Sequence, residues 1–528
     1  MDELKYPIGI QTFEQIIKDG YVYFDKTALV YDLASRGKVY FLSRPRRFGK
    51  SLLLSTIKSY FLGHKEFFKG LAIDSLEKNW YEYPVMHLDF NGVEFTEQGE
   101  LERVLEEFVA QQEGLYGKGE YAMTLGSRFK AVIANAHKKT GREVVMLIDE
   151  YDKPLLDVMG LEKFIVEDEE KITFEEKHRR ILKSFYSTFK GADADLRFVF
   201  LTGVIKFSQI SVFSGFNQPK DISMSTRYDA ICGITKEELY TKLGTQITEM
   251  AKKFKVTPEQ MRLMLKKKYD GYHFSEEMTD IYNPFSVLNA FCDQQLKNYW
   301  FASGSPEYLV RLLAKSDENI NDLVGKYYPV ADFVDYRADV EKPLPMIYQS
   351  GYLTIKDFDP WTQVYKLDLP NAEVTQGFLS VLAAGYFKKK TSPISWVSEV
   401  IRALRTADIE QLERLFTSFL ASIPYEMHQG RENERHFQYT FYLILRLIGC
   451  YIVFVEKHQS ESRVDCVVET DDDVYIFEFK RDGSAEEALK QIEEKGYARE
   501  YSADKRRIHC LGVNFSSKTG TIDGWLVK

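Results

Sequence analysis

Two groups of residues in this sequence have the side chains and the spacing that phosphate chemistry requires. The first is Gly49-Lys50-Ser51, which follows a short apolar run and a basic turn and opens a helical pattern. Backbone N–H groups at the start of a helix can hold phosphate oxygens, a lysine can reach the β and γ phosphates, and a serine hydroxyl can bind Mg²⁺. The tripeptide therefore indicates the end of a Walker A loop that binds ATP.

The segment Ser43–Ser51, called the phosphate loop below, departs from the general pattern GxxxxGK[ST]. Arg44 stands where that pattern has its first glycine. Because arginine tolerates positive φ poorly, we expect a tighter or reshaped loop. The residues expected to contact the nucleotide are Arg46, Arg47, Phe48, Gly49, Lys50 and Ser51.

A second motif strengthens the nucleotide interpretation. The apolar run Glu143–Ile148 ends in Asp149 and Glu150. Asp149 can hold Mg²⁺ together with Ser51, and Glu150 can polarise the attacking water. Thr202, at the end of a later apolar run, is expected beside the γ-phosphate. The alternative interpretation is that the two acids simply mark the end of a strand.

The second group lies near the end of the sequence and has the composition of a divalent-metal site. Asp465 lies in the run Arg463–Val468, and Glu478 and Lys480 lie in the run Val474–Lys480. Because side chains alternate along a strand, Glu478 and Lys480 share one face. Two carboxylates on adjacent strands can bind one cation, and the lysine can orient or deprotonate a water. An all-oxygen site suits Mg²⁺ or Mn²⁺ rather than zinc.

Two more residues extend this group. Glu434 opens a helical pattern, where its carboxylate could reach the metal or its water shell. Gln491 begins another helical pattern and could hold the geometry of the site or a phosphate. The alternative for the whole group is a surface hairpin, closed by the acidic turn Glu469–Asp473, with an incidental salt bridge.

Alternating strands and helices must position the first group. Apolar runs separated by helical patterns favour an α/β fold, with a parallel sheet and helices on both faces. We therefore predict a P-loop NTPase domain over residues 1–240 and a compact α/β unit over residues 429–528. The predicted strands of the first domain are Lys38–Leu42, Pro84–Phe90, Glu143–Ile148 and Leu196–Leu201.

The middle of the chain is predicted to be helical, with one hairpin. Residues 241–375 begin with helical patterns and end with Leu344–Asn371, where two strand-like runs flank an Asp-Pro turn. A winged-helix-like module and a helical lid with a β-hairpin explain this pattern equally well. Residues 376–428 are predicted to be connecting helices.

Composition limits the class of protein. The 528 residues carry a formal net charge of −9, which argues against a basic coat for nucleic acid but leaves local binding patches open. Five scattered cysteines without metal spacing indicate reduced thiols, and no signal peptide or apolar membrane span is visible. We therefore expect a cytoplasmic protein without a membrane partner.

Several segments resemble a known family. RPRRFGKSLLLSTIKSYF, MLIDEYDKPL and FLTGVIKFSQISVFSGFNQPKDISM closely resemble the bacterial predicted AAA-ATPase-like family. YFDKTALVYDL, YDGYHF and YNPFSVLNAF fit the same pattern, and the similarity covers nearly all of residues 5–310. The family's loop typically begins Arg-Pro-Arg-Arg-Phe-Gly-Lys, so Arg44 belongs to its pattern. The resemblance implies an ATP-binding α/β domain.

The second group has its own resemblance. The order Glu434, Asp465, Glu478-x-Lys480, Gln491 is that of PD-(D/E)XK nucleases. EFKRDGSAEEALKQIEEKGYAREY and LGVNFSSKTGTIDGW resemble the nuclease domain that often follows this ATPase. The resemblance implies a restriction-endonuclease-like α/β domain that cleaves nucleic acid.

Three functional hypotheses follow. The first is an ATPase that controls a metal-dependent nuclease acting on DNA in preference to RNA. The second is a nucleotide-gated switch or nucleic-acid-binding module whose nuclease domain is inactive. A motor helicase-nuclease is disfavoured, because accessory helicase motifs are not found. Arg227 is either an arginine finger, a second sensor or a surface salt-bridge residue. A homo-oligomer is left open.

Overall fold

A computed structural model divides the chain into two compact units, residues 1–374 and residues 375–528. Within the described parts of both units, no helix combines the length and the apolar character needed to cross a membrane. The structure describes residues 4–161, 163–167, 170–207, 219–302, 323–335, 343–378, 393–420, 454–455, 458–459, 462–463, 466–470, 472–516, 518–519 and 521–528.

The first unit is built on a five-stranded parallel sheet with the strand order β2-β3-β6-β1-β7. All six residues of β3 are buried, so both faces of the sheet are covered, as its continuous apolar sequence predicts. The parallel α/β architecture is confirmed. The strands are β1 Val39–Ser43, β2 Val85–Asp89, β3 Val144–Asp149, β6 Leu196–Gly203 and β7 Lys220–Asp221.

Helices surround this sheet and continue beyond it. The predicted helix over 236–255 forms because Thr235 and Glu238 cap it reciprocally, each side chain accepting from the other's backbone N–H. The helices of this unit are α1 Phe13–Lys18, α2 Thr27–Arg36, α3 Lys50–Phe61, α4 Ala72–Leu76, α5 Glu100–Tyr116, α6 Leu125–Thr140, α7 Lys153–Leu156, α8 Phe174–Gly191, α9 Lys236–Phe254, α10 Pro258–Tyr269, α11 Pro284–Asp293, α12 Tyr299–Ala302, α13 Val330–Val334 and α14 Leu344–Gln349.

Three small antiparallel sheets complete the first unit. The predicted hairpin is present around the Asp-Pro turn, and a third strand extends it to the order β10-β12-β11. The residues that open this segment, Leu344–Gln349, form α14 rather than a strand. The strands are β4 Phe164–Glu167 with β5 Glu170–Thr173, β8 Ile234–Thr235 with β9 Ile281–Tyr282, and β10 Lys326–Pro329 with β11 Thr354–Asp359 and β12 Val364–Asp368.

The second unit contains a mixed five-stranded sheet with the order β13-β16-β17-β18-β19. β17 and β18 run parallel and the other pairs are antiparallel. The elements are α15 Pro393–Thr406, α16 Ile409–Leu420, β13 Phe454–Val455, β14 His458–Gln459, β15 Ser462–Arg463, β16 Cys466–Glu469, β17 Asp473–Arg481, α17 Ala485–Lys495, β18 Arg507–Ser516 and β19 Thr521–Val527.

The predicted hairpin at the second group of residues is formed by β16 and β17. Of the predicted strand Arg463–Val468, residues 466–468 lie in β16, Arg463 pairs with His458 in a separate two-stranded sheet, and residues 464–465 lie outside the described residues. Helix α17 packs against β17 and β18 so closely that a Cβ on Gly512 would lie 2.3 Å from the carbonyl oxygen of Ala485. This close packing brings side chains of α17 over the face that carries Glu478.

Candidate functional site

The phosphate loop connects β1 to α3 at the carboxyl end of the parallel sheet. Gly49 immediately precedes α3 with a φ of 91°, in the left-handed region that glycine tolerates best. Arg47 also has positive φ, whereas Arg44 keeps a negative φ. The loop therefore avoids positive φ at Arg44 and makes its left-handed turns at Arg47 and Gly49.

Arg44 is instead the most deeply buried polar side chain of the loop, with 1% of its surface exposed. Its guanidinium lies over the ring of Phe274, 3.9 Å from the ring centroid. Its terminal nitrogens donate hydrogen bonds to four carbonyl oxygens at 2.7–3.3 Å, those of Ser43, Ser223, Tyr228 and Asp229. The arginine therefore fastens the base of the loop to two distant segments.

The outer side of the loop is held by residues from the later part of the unit. The indole of Trp300 donates to the carbonyl of Arg46 at 3.0 Å. Phe48 is buried and packs edge-on against Tyr272, with ring centroids 4.8 Å apart. Gly351 contacts Pro45 so closely that a Cβ would lie 2.7 Å from that ring. Pro45, Arg46 and Phe48 are thus each held by residues of the segment after Gly271.

Lys50 begins α3 and is 5% exposed. Its ammonium group donates to the carbonyls of Arg44 at 3.0 Å and of Pro45 at 3.2 Å. Ser51 follows it on the first turn, half-buried, and the side chains of Arg46 and Arg47 are exposed. Within the described chain no side chain caps the first turn of α3. Its backbone N–H groups are thus available to an anion.

The acids lie on the strand next but one to β1. Asp149 is buried, and its Oδ1 accepts from the hydroxyl of Thr202 on the adjacent β6 at 2.6 Å. Glu150 follows in left-handed conformation with a φ of 47°. Burial raises the pKa of Glu150, and the nearby positive charge of Lys50 opposes that shift. The structure therefore brings the lysine, both acids and the threonine to one edge of the sheet.

Sequence reasoning missed Asp152, the last acid of the motif IDEYD. It is fully buried, and its Oδ2 accepts from the backbone N–H groups of Val204 at 2.8 Å and Ile205 at 2.7 Å. Burial raises the pKa of Asp152 to about 6. Its position, as the third acid within four residues at the end of a buried strand, was visible in the sequence, but its backbone partners were not. Asp152 anchors the segment that follows Thr202 to the acidic turn.

Arg227 does not reach toward this edge. Its guanidinium pairs with Asp32 at 3.0 Å, and the carboxylate also accepts from Tyr228 at 2.7 Å. The three hydrogen-bond donors Tyr228, Arg36 and Arg227 lower the pKa of Asp32 to about 2 against the opposing effect of burial. Of the three roles considered for Arg227, the structure supports the surface salt bridge.

An open cavity with about 560 Å³ of empty space, its solvent-open mouth included, lies beside the start of α3. It lies between the segment before α2, the N-terminal half of α3 and the segment after Arg227. Its lining is mainly apolar and includes Val22, Leu53, Ile231, Ile234 and Leu288. Gly49 also lines it, so the cavity is continuous with the phosphate loop.

In the second unit, the structure places Glu478, Lys480 and Gln491 together. Glu478 and Lys480 share one face of β17, and α17 lays Gln491 across that face. The amide of Gln491 donates to the carboxylate of Glu478, and its oxygen accepts from the ammonium of Lys480. Nζ of Lys480 lies 4.0 Å from Oε1 of Glu478, and 2% of the surface of Glu478 is exposed. The glutamine therefore bridges the acid and the base.

The remaining predicted residues of this group, Asp465 and Glu434, lie outside the described residues. Within the parts of the chain that are described, no three His, Cys, Asp or Glu side chains converge as a metal site. Of the three acids predicted for this cluster, Glu478 is the one that the structure describes.

Comparisons with known proteins agree with the predicted class of each unit. A P-loop ATPase-like unit and a nuclease-like unit define the class: the family described as Predicted AAA-ATPase matches residues 7–213, and the PD-(D/E)XK nuclease superfamily matches residues 432–525. The "Uncharacterized protein in vnfD 5'region" of Azotobacter chroococcum mcd 1 is 34% identical over 539 residues, covering 100% of this chain and 99% of that protein. The chain belongs to the bacterial predicted AAA-ATPase-like family with a C-terminal PD-(D/E)XK nuclease superfamily domain.

Among solved structures, the Orc1 protein of Aeropyrum pernix, determined in complex with DNA, is 9% identical with a TM-score of 0.25. That match covers 69% of this chain and 95% of the Orc1 chain. A likeness of this extent carries no argument about ligands.

Removing the Arg44 side chain should destabilise the first unit. Arg44→Ala leaves four carbonyls without their donor, so we expect a loss of at least about 2 kcal/mol and weaker ATP binding. Arg44→Lys should be nearly as severe, because one ammonium cannot serve the same fork of acceptors. Arg227→Ala, which removes an exposed ion pair, is the control and should change little. Equal thermal unfolding of all three variants would contradict the anchoring role.

Asp152 should make folding stability depend on pH. Its pKa is about 6 in the folded state against 3.8 ordinarily, so its contribution is fully present below pH 4 and is lost as pH rises through 6. Asp152→Asn keeps an acceptor for both N–H groups and does not titrate. We expect the stability of this variant relative to wild type to rise between pH 4 and pH 7, on the order of 3 kcal/mol. Asp19→Asn, an exposed aspartate, is the control for thermal unfolding. Parallel profiles for wild type and Asp152→Asn would refute the shift.

Proposed function

We propose that the protein is an ATP-binding and ATP-hydrolysing enzyme that controls a divalent-metal-dependent nuclease, with DNA as the preferred substrate over RNA. The observation that carries the nuclease assignment is the bridge that Gln491 makes between Glu478 and Lys480 on a buried strand face. A salt bridge on a surface hairpin would be exposed, whereas Glu478 is buried beneath a helix. Such an arrangement favours a built site over an incidental ion pair.

The first unit is proposed to bind ATP through the phosphate loop. The backbone of the loop and the first turn of α3 would hold the phosphates, with Arg46, Arg47, Phe48 and Gly49 contributing to the loop. Lys50 would exchange the carbonyls that it now contacts for phosphate oxygens, which bind an ammonium more strongly because they are charged. A Mg²⁺ ion bound with the nucleotide would neutralise phosphate charge.

Ser51 and Asp149 are the residues proposed to hold that Mg²⁺. The hydroxyl of Thr202 fixes one oxygen of Asp149 and leaves the other oxygen for the ion or its water. Glu150 would accept a proton from the attacking water, a role that its raised pKa suits. Thr202, whose hydroxyl donates to Asp149, would lie beside the terminal phosphate.

The cavity beside Gly49 supports a nucleotide rather than an isolated phosphate. Its walls are mainly apolar, as the faces of a purine ring require, and it begins where the phosphates would end. We propose that the base of ATP occupies this cavity, with Ile231 and Leu288 on its walls.

The second unit is proposed to hydrolyse phosphodiester bonds. Glu478, with Asp465 and Glu434, would hold Mg²⁺ or Mn²⁺, which would polarise the phosphoryl oxygens. Lys480 would orient or deprotonate the attacking water, and its ammonium would stabilise the charge that develops on phosphorus oxygens. Gln491 would keep the lysine aimed at the reacting group instead of at the carboxylate.

ATP binding is tested by changing Lys50 and Glu150. Lys50→Ala removes the charge that faces the phosphates and should weaken or abolish ATP binding measured by calorimetry. Glu150→Gln should keep the affinity and slow hydrolysis on the order of 10²-fold or more. Lys58→Ala, a half-buried lysine further along α3, serves as the control. Unchanged ATP affinity in Lys50→Ala would contradict the nucleotide site.

Nuclease chemistry is tested by changing Lys480 and Glu478. Lys480→Met should lower cleavage on the order of 10²–10⁴-fold, because it removes the proposed acid–base group. Mn²⁺ affinity should be spared, because Lys480 is not a proposed metal ligand. Glu478→Gln keeps the shape of a buried side chain and should lower both cleavage and Mn²⁺ affinity. Lys490→Ala, an exposed lysine on α17, is the matched control.

The assay uses single- and double-stranded DNA and RNA, with Mg²⁺ or Mn²⁺ and with no nucleotide, ATP or ADP. Undiminished cleavage by both site variants would assign the activity elsewhere. Identical rates under the three nucleotide conditions would contradict control by ATP. A wild-type protein that binds Mn²⁺ and cuts nothing would favour the nucleotide-gated binding module.

A further inference from the structure

We propose that Asn514 and Asp523 are positioning residues of the nuclease site, which hold the turn that aligns Lys480 with Gln491. The inference rests on the proposed nuclease function. Neither residue touches the acid or the base directly in the described contacts. Both act through Gly483, in the connection between the strand that carries Lys480 and the helix that carries Gln491.

That connection is three residues long, Asp482–Ser484. Asp482 is in the left-handed region, with a φ of 53°, and its N–H donates to the carbonyl of Phe515 at 2.8 Å. Ser484 begins α17 through a reciprocal cap with Glu487. Since Lys480 lies two residues before the turn and Gln491 two helical turns after it, the turn sets the relative position of the two side chains.

Gly483 is the contact point of this turn. Its N–H donates to the side-chain oxygen of Asn514 at 3.0 Å. A Cβ at this position would lie 2.8 Å from the carboxylate of Glu487 and 3.3 Å from the Cβ of Lys480. The turn therefore passes close to Lys480, and its N–H is held by Asn514.

Asn514 lies beside Lys480 in the parallel register of β17 and β18 and is buried. Its amide nitrogen donates to Oδ1 of Asp523 at 2.7 Å. The orientation of the amide follows from its partners, because the N–H of Gly483 requires an acceptor and the carboxylate requires a donor. Reversing the amide would lose both hydrogen bonds.

Asp523 reaches Asn514 because β19 carries a bulge. The register changes from Asn514 opposite Gly524 to Phe515 opposite Ile522, so Asp523 is the extra residue. A bulge redirects a side chain that regular pairing would point elsewhere, and bulges are frequent beside active sites. The bulge thus supplies an acceptor that fixes Asn514, which in turn fixes the turn after Lys480.

Four variants of the full-length protein separate a positioning role from a direct one. Asp523→Ala removes the acceptor, and Asn514→Asp places two carboxylates in contact, so both should release the turn. Asp523→Asn keeps an oxygen acceptor for Asn514 without the charge. Asn514→Asp combined with Asp523→Asn exchanges donor and acceptor and restores both hydrogen bonds.

Two readouts are measured on every variant: hydrogen–deuterium exchange of the peptide that spans Lys480–Gln491, and cleavage with Mn²⁺. We expect Asp523→Ala and Asn514→Asp to speed exchange and to lower kcat by about 10–100-fold, as loss of a supporting contact typically does. Asp523→Asn and the double exchange should resemble wild type in both readouts.

A cleavage defect in Asp523→Asn equal to that of Asp523→Ala would overturn the proposal, because the charge itself would then be needed at the site. A double exchange no better than Asn514→Asp would overturn it as well. If wild type cuts no substrate while exchange follows the expected order, the hydrogen-bonded contact is supported and the nuclease function fails. Unchanged exchange in Asn514→Asp overturns the contact whether or not the protein cleaves.

Discussion

The buried guanidinium of Arg44 is the interaction on which the geometry of the first unit depends. Burying a charged group this deeply is costly unless it is hydrogen-bonded. Here the terminal nitrogens of Arg44 donate to four carbonyl oxygens and the ring of Phe274 covers the guanidinium, while Nε has no hydrogen-bond partner among the described residues. Those carbonyls belong to segments near Ser223 and Asp229, and Asp229 accepts in turn from Ser275 and Thr279. The conformation of the phosphate loop is therefore determined together with that of residues more than 180 positions later.

Periodicity was sufficient to predict the framework of the first unit. The four predicted strands agree with β1, β2, β3 and β6 within two residues, because long apolar runs bounded by polar ends leave few alternatives. The conformation of the phosphate loop was not predictable in the same way. Whether Arg44 or Arg47 takes positive φ depends on Phe274 and Tyr272, which are distant in the sequence. Local preference could not include those partners.

In the second unit, too, local relations were predictable from the sequence and contacts between distant residues were not. Alternation correctly placed Glu478 and Lys480 on one face, since that relation is local to β17. The bridge by Gln491 requires the turn after Lys480 to have one particular geometry, which no spacing reveals. Asp152 was missed for a related reason. It accepts hydrogen bonds from the backbone N–H groups of Val204 and Ile205, which follow the adjacent strand β6. A backbone N–H has no identity in a sequence.

Two of the acids proposed to hold a metal ion, Asp149 and Glu478, share a feature that follows from this packing. Asp149 accepts from the hydroxyl of Thr202, and Glu478 accepts from the amide of Gln491. Both donors are neutral groups, so each one orients its carboxylate without itself neutralising the negative charge. An arginine or lysine in direct contact would orient the acid equally well but would compete with a divalent cation for that charge. In each unit the lysine of the proposed site donates to neutral oxygen atoms, and the ammonium of Lys480 lies 4.0 Å from Oε1 of Glu478. Lys50 contacts loop carbonyls, and Gln491 stands between Lys480 and Glu478. A site that uses a metal ion and a lysine together needs this arrangement. A close ion pair between the lysine and the carboxylate would neutralise both charges before the metal ion or the substrate binds.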